Sequence, residues 1–204
     1  MNSSPSTRPG RCAQCQRPLA RCLCPLIPSI EAACPVLILQ HHSEARHALN
    51  TARLAYLGLK GAELWVGEQF AGLEARLAQA HRPVLLFPGP EAKVAGSTGP
   101  EEKPDLIVVP DGTWRKAHLI LHSNPVLQAL PYWVLPEGQA SRYRLRKAPD
   151  PQAVSTLEAI VRLMQIMEPE RNFSPLLRPF EQLIEEQIQA MGLDTYQRNY
   201  PTSR

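Results

Sequence analysis

Cys12, Cys15, Cys22 and Cys24 make a C-x2-C pair followed by a C-x-C pair. Thiolates in two close pairs can surround one tetrahedral ion, as Zn2+ prefers, and Gly10, Pro18 and Pro25 supply the turns. An iron–sulfur cluster, a redox dithiol and accidental clustering are competing readings of the same spacing. Four sulfurs would close the coordination sphere, so a zinc ion here would hold structure and leave no position for a reactant. Cys34 stands apart. A second chemical feature is Asp111-Gly112-Thr113-Trp114, which sets a carboxylate and a large flat ring at one turn. A carboxylate accepts a proton near neutral pH only if burial lifts its pKa above the reference of about 3.9. The plainer reading is an Asx turn opening a helix, with the Trp as a core anchor.

The elements around that turn decide what it can reach. Leu106–Val109 is a continuous apolar run, the pattern of a strand covered on both faces, and Pro110 is expected to break it. A helix is expected from Trp114 to Leu121. Strands are also expected at Pro35–Gln40, Ala62–Val66, Pro83–Phe87 and Tyr132–Leu135. Helices are expected from Glu44 to Leu59, with Leu49, Ala52, Tyr56 and Leu59 on one face, and from Glu68 to Ala80. Ser155-x-x-Glu158 is a capping box that opens a helix from Thr156 to Glu168, and Ser174-Pro175 starts the last helix, which ends at Gly192. Glu91–Lys103 reads as a mobile loop, and the tail from Leu193 as frayed. Strands alternating with helices indicate parallel βαβ units. The fold class is therefore α/β, a mostly parallel sheet flanked by helices with a small N-terminal zinc knuckle of four cysteines. The expected division is residues 1–30 as the zinc-binding segment and residues 31–204 as the domain built on the sheet. In an open sheet of this kind ligands bind beyond the carboxyl ends of the strands, which is where the Asp111 turn falls.

Other residue types carry less specific signals. His41, His42 and His47 follow the first strand, but no neighbouring acidic pair completes a metal set, and a histidine at a strand end commonly serves as a hydrogen-bonding group. Arg142, Arg144, Arg146 and Lys147 form the densest basic cluster; if extended, the three arginines share one face and could grip RNA phosphates, or they could be a solvated edge strand. The 204 residues carry 22 Lys and Arg against 19 Asp and Glu, a net charge of +3 compatible with RNA binding without requiring it. No apolar run reaches the length of a membrane span, about 18 residues, and the polar stretch Met1–Gly10 argues for a cytoplasmic protein.

The cysteine cluster, Asn50-Thr51 after a His/Glu turn, Asp111-Gly112-Thr113-Trp114 and Ser155-Thr156-Leu157-Glu158-Ala159 occur in this order. Together they resemble the motifs of DTW-domain proteins, the tRNA-uridine aminocarboxypropyltransferases, over most of the chain. The family usually shows His-Pro where this chain has His41-His42. The resemblance implies a knotted α/β fold of the SPOUT type. It implies S-adenosylmethionine as donor and N3 of a tRNA uridine, in the variable loop, as acceptor. The 3-amino-3-carboxypropyl group would be transferred and 5′-methylthioadenosine released. In that reading Asp111 takes the N3 proton and Trp114 packs on the cofactor or the uracil. Thr113, Leu135, Ser155 and Thr156 contact the cofactor, and the basic cluster holds tRNA. The implied assembly is a monomer or a homodimer. No G-x-G-x-x-G is present, which disfavours a Rossmann methyltransferase. A non-catalytic zinc-ribbon RNA-binding module and a SPOUT-type RNA methyltransferase are the alternatives.

Overall fold

The computed structural model describes residues 10–97, 99, 103–138, 141 and 154–200. Its central feature is β2, Val36–His41, whose six residues are all buried. The pleat alternates them between two faces, so Val36 and Ile38 enter one core and Leu37 and Leu39 the other. β7, Leu106–Asp111, is buried throughout and divides in the same way. Six strands form a parallel sheet, with β4 (Glu63–Gly67) at one edge, then β2, β7, β5 (Pro83–Leu86), β8 (Tyr132–Val134) and β6 (Lys93–Val94) at the other. A separate two-stranded ladder pairs β1, Ile30–Glu31, with β3, Leu59–Lys60.

Helices cover both faces. α1 (Thr51–Gly58), α4 (Thr156–Met167) and α5 (Arg178–Met191) bury Ala52, Leu54, Leu163 and Phe180 against one face. α2 (Leu73–Leu77) and α3 (Trp114–Ser123) bury Leu73, Leu77, Ile120 and Leu121 against the other. The neighbouring strands β2 and β7 thus send their following helices to opposite sides. That divergence opens a crevice at their carboxyl ends, the place where α/β sheets bind ligands.

Several boundaries differ from the sequence expectation. The chain does not break at Pro110; β7 runs through it to Asp111. The Ile107 N–H donates to Pro35 O on the β2 side, so by alternation the N–H that Pro110 lacks would face β5, where pairing stops at Val108. α1 starts at Thr51 and not near Glu44, because Asn50 is its N-cap and accepts the Arg53 N–H at 3.0 Å. Tyr56 is exposed there, and Leu54 and Ala55 take the buried positions. α2 is shorter than expected, since Gly72 adopts a left-handed φ of 85° just before it. Ser174 opens a 3-10 turn, Ser174–Leu177, without capping it; its hydroxyl donates to Asn172 Oδ1 at 2.7 Å. The segment Glu91–Lys103 contributes the edge strand β6 with Ala95 buried beside it. Within the tail, Leu193–Asn199 forms the helix α6, and Tyr196 packs against the core.

Phe180 is fully buried where α5 meets the sheet's core. Phe180→Ala is expected to lower the unfolding free energy by about 3–5 kcal/mol, read from the midpoint and slope of urea unfolding.

Candidate active site

Asp111 ends β7 directly beside Gln40 of β2, its partner in the parallel register. The Gln40 Nε2 donates to Asp111 Oδ2 at 2.7 Å, and the Thr156 hydroxyl, from the first turn of α4, donates to Asp111 Oδ1 at 2.5 Å. Gln40 is itself held by Asn50: its Nε2 donates to Asn50 Oδ1 at 2.9 Å, and Asn50 Nδ2 donates back to Gln40 Oε1 at 3.3 Å. Asp111 therefore does not cap the helix that follows it. Thr113 occupies that N-cap position without a side-chain cap bond. The carboxylate is 8% exposed, and burial pushes its pKa up; the hydrogen bonds from Thr156 and Gln40 pull against that rise, and nearby Glu44 adds to it.

A cavity of about 740 Å3 opens over this carboxylate at the carboxyl ends of the central strands. Asp111, Thr113, Trp114, Leu135, Ser155 and Thr156 all line it, so the residues singled out from sequence as catalytic or cofactor-binding meet in one place. Trp114 is 41% exposed and is not a core anchor; its ring stands 5.5 Å from that of Phe87, at the end of β5. The Ser155 hydroxyl is engaged in the capping box, accepting from the Glu158 N–H at 3.3 Å while Glu158 Oε2 accepts from the Ser155 N–H at 2.9 Å. What Ser155 and Thr156 bring to the cavity is the start of an α-helix, whose first N–H groups have no intrahelical acceptor and favour an anion. Ser141 donates to both oxygens of the buried Glu158, at 3.0 and 2.8 Å. Arg142, Arg144, Arg146 and Lys147 lie outside the described residues.

Sequence reasoning missed Gln40 and Lys116. Gln40 was legible as the polar residue closing an otherwise apolar strand. Lys116 gave no signal; its ammonium reaches Glu44 at 2.6 Å, linking the turn after β2 to α3 across the cavity. Gly112 makes that approach possible, because a Cβ there would lie 2.9 Å from Lys116 Cβ. His47 lines this cavity, while His41 and His42 face away from it. His41 is buried, and its pKa is held down by that burial and by the neighbouring His42 and Lys116.

The cysteine knuckle is built by a short antiparallel bridge between Arg11 and Pro18, with Cys12 N–H donating to Arg17 O at 2.8 Å. Gln16 turns it with a φ of 59°. The sulfurs of Cys12, Cys15, Cys22 and Cys24 lie within 4.8 Å of one another, with Cys12–Cys24 at 3.5 Å and Cys15–Cys22 at 3.8 Å. A tetrahedral Zn–S distance of about 2.3 Å requires sulfurs about 3.8 Å apart, so the donor set fits one such ion. The Cys12 thiol is lowered to about 6, chiefly by the Cys15 N–H, while burial and the other thiols push Cys24 up to about 12. Cys34 is a core residue, 3% exposed, with burial pushing its pKa up to about 12.

The family model of the DTW domain matches residues 10–188, spanning both the knuckle and the Asp111 cavity. The chain belongs to the DTW domain family. Among curated proteins, the DTW chain is 30% identical to tRNA-uridine aminocarboxypropyltransferase 2 of Drosophila melanogaster, over 92% of this chain and 79% of that protein. It is 28% identical to the protein of the same name from Macaca fascicularis, over 91% of this chain and 66% of the relative. For the Mus musculus protein the identity is 30%, over 87% of this chain and 63% of the relative. The DTW chain thus spans about two thirds of the length of the two mammalian relatives. No solved structure matches it. No helix among the described residues is long and apolar enough to cross a membrane.

The raised pKa of Asp111 sets the sign of a pH effect on this DTW domain. Below the unfolded aspartate's pKa the carboxyl is protonated in both states and costs nothing. As pH rises through that value towards the higher folded pKa, the unfolded chain ionises first and the folded state loses stability. Asp111→Asn removes this loss. The stability difference is therefore expected to move in favour of the variant as pH rises, by about 1.4 kcal/mol per unit of upward displacement, measured by urea unfolding across acid and neutral pH.

Proposed function

We propose that this protein is a tRNA-uridine aminocarboxypropyltransferase that uses S-adenosylmethionine as donor and carries a structural zinc ion on its four N-terminal cysteines. The observation that carries the reading is Asp111: a buried carboxylate, raised in pKa and held by Gln40 and Thr156, sharing a cavity with the exposed ring of Trp114. Its support from outside the site is membership in the DTW family and relatives that bear this enzyme name. In this reading residues 1–30 form the zinc-binding segment and residues 31–204 the catalytic domain. The proposed compartment is the cytoplasm, where tRNA is available.

Balanced in atoms, the reaction is a displacement at carbon. The uridine N3 loses its proton and forms a bond to the terminal methylene carbon of the amino-acid arm. The bond from that carbon to the positively charged sulfur breaks, and the sulfur keeps the electron pair as the neutral thioether of 5′-methylthioadenosine. Because a sulfonium leaves readily, the protein must chiefly orient the arm and accept the N3 proton. Asp111 is the proposed acceptor; its two hydrogen bonds fix the carboxylate's direction, and its burial gives it the affinity for a proton that an exposed aspartate lacks. Trp114 offers a flat surface to uracil or adenine. The first turn of α4, at Ser155 and Thr156, suits the carboxylate of the methionine arm. Thr113 and Leu135 complete the proposed cofactor contacts. The ion on Cys12, Cys15, Cys22 and Cys24 would neutralise thiolates and hold the knuckle, without a role at the cavity.

Incubation with unmodified tRNA and carboxyl-labelled S-adenosylmethionine is expected to move label into tRNA, while methyl label leaves as methylthioadenosine, both followed by nucleoside mass spectrometry. Methyl label in tRNA would instead identify a methyltransferase. Asp111→Asn is expected to lower the transfer rate by about 100-fold or more with little change in S-adenosylmethionine affinity. A strong chelator that strips the cysteine site is expected to lower the melting temperature, with one equivalent of zinc released per chain.

A further inference from the structure

The proposed reaction leaves a group of imidazoles unused. The rings of His41 and His42, at the end of β2, lie with centroids 4.2 Å apart. They border a hollow of about 610 Å3 that shares only Lys116 with the lining of the Asp111 cavity. Glu68, just after β4, joins them there, and one ligand atom from each of His41, His42 and Glu68 lies within 4.8 Å of the others. His118 and His122 line the same hollow from α3, four residues apart and hence on one helical face.

The orientation of His41 suits a metal ligand. Its Nδ1 is held by Ser43, with the hydroxyl at 2.9 Å and the main-chain N–H at 3.2 Å. Its Nε2 points towards Glu68, 3.6 Å from Oε2. Nδ1 accepts the Ser43 N–H, so the neutral ring carries its proton on Nε2; an ion binding at Nε2 would shift that proton to Nδ1, where the Ser43 hydroxyl at 2.9 Å can accept it. Two imidazoles and a carboxylate are the nitrogen and oxygen donors that Zn2+, Co2+ and Ni2+ accept, with a position left open. His42 is exposed and the Glu68 side chain is 38% exposed, so an ion can enter from solvent.

We propose that His41, His42 and Glu68 form a second divalent transition-metal site, distinct from the cysteine knuckle. An ion there ties the end of β2 to the chain leaving β4 and braces the strand end and the turn from which Gln40 and Glu44 respectively reach the neighbouring cavity. The site does not depend on the transferase reading, and its test reads metal alone.

Full-length protein carrying one equivalent of zinc is titrated with Co2+. A second, saturable equivalent is expected, with weak visible absorption and no thiolate-to-cobalt charge-transfer band. Its affinity is expected to fall at least about tenfold in Glu68→Gln and in His42→Ala, and to be unchanged in His81→Ala. X-ray absorption at the cobalt edge of the unaltered protein, which needs no variant to fold, is expected to find only nitrogen and oxygen neighbours. The absence of a saturable second equivalent, sulfur in the cobalt shell, or full affinity in both ligand variants would overturn the proposal.

Discussion

The arrangement depends on keeping a carboxylate at the buried end of a parallel sheet. Asp111 sits where water is scarce, so its charge is costly, and the two side chains that donate to it make that position tolerable. Each donor comes from a different element. Gln40 arrives because β2 and β7 are neighbours in register, and Thr156 because α4 begins over the same strand ends. The competition between burial and these bonds leaves the pKa above its ordinary value, the property a proton acceptor needs. Stability and proton affinity therefore pull against each other at this residue.

Around that carboxylate the structure is braced from several directions. Asn50 orients Gln40 and caps α1 with the same side chain, so the helix start and the position of Gln40 depend on each other. The Glu44–Lys116 pair spans the crevice between the β2 turn and α3. Glu158 closes the cap of α4 and accepts the Ser141 hydroxyl. Removing any one of these groups leaves partners short of a hydrogen bond in a partly dry site, where such losses are largest.

The cysteine knuckle is secured to the same body. Leu23, between two of the cysteines, is 1% exposed and belongs to the main core, and Arg17 pairs with Glu186 of α5 at 2.6 Å. Anchored by a buried leucine and a partly buried ion pair, the segment is tied to α5, and through α5 to the face of the sheet that carries α1 and α4.

The sequence by itself determined the features whose causes are local. Apolar runs without alternation marked β2 and β7 as strands buried on both faces, the Ser155–Glu158 spacing marked the capping box, and the cysteine spacing marked a four-sulfur site. Each depends on residues a few positions apart, within reach of periodicity and capping rules. Only the tertiary structure decided which distant residues meet. Gln40 is 71 residues from Asp111 and Thr156 is 45 residues away; the first contact requires the strand order that puts β2 beside β7, and the second requires α4 to begin over the same strand ends. The same order separates His47, on the cavity side, from His41 and His42, and supplies them with Glu68 in place of any acid nearby in sequence. Pro110 shows the same division in one residue: read alone it ends a strand, yet it stays in the sheet paired with Leu39 of β2, because the N–H it lacks would face the side on which pairing with β5 has already stopped.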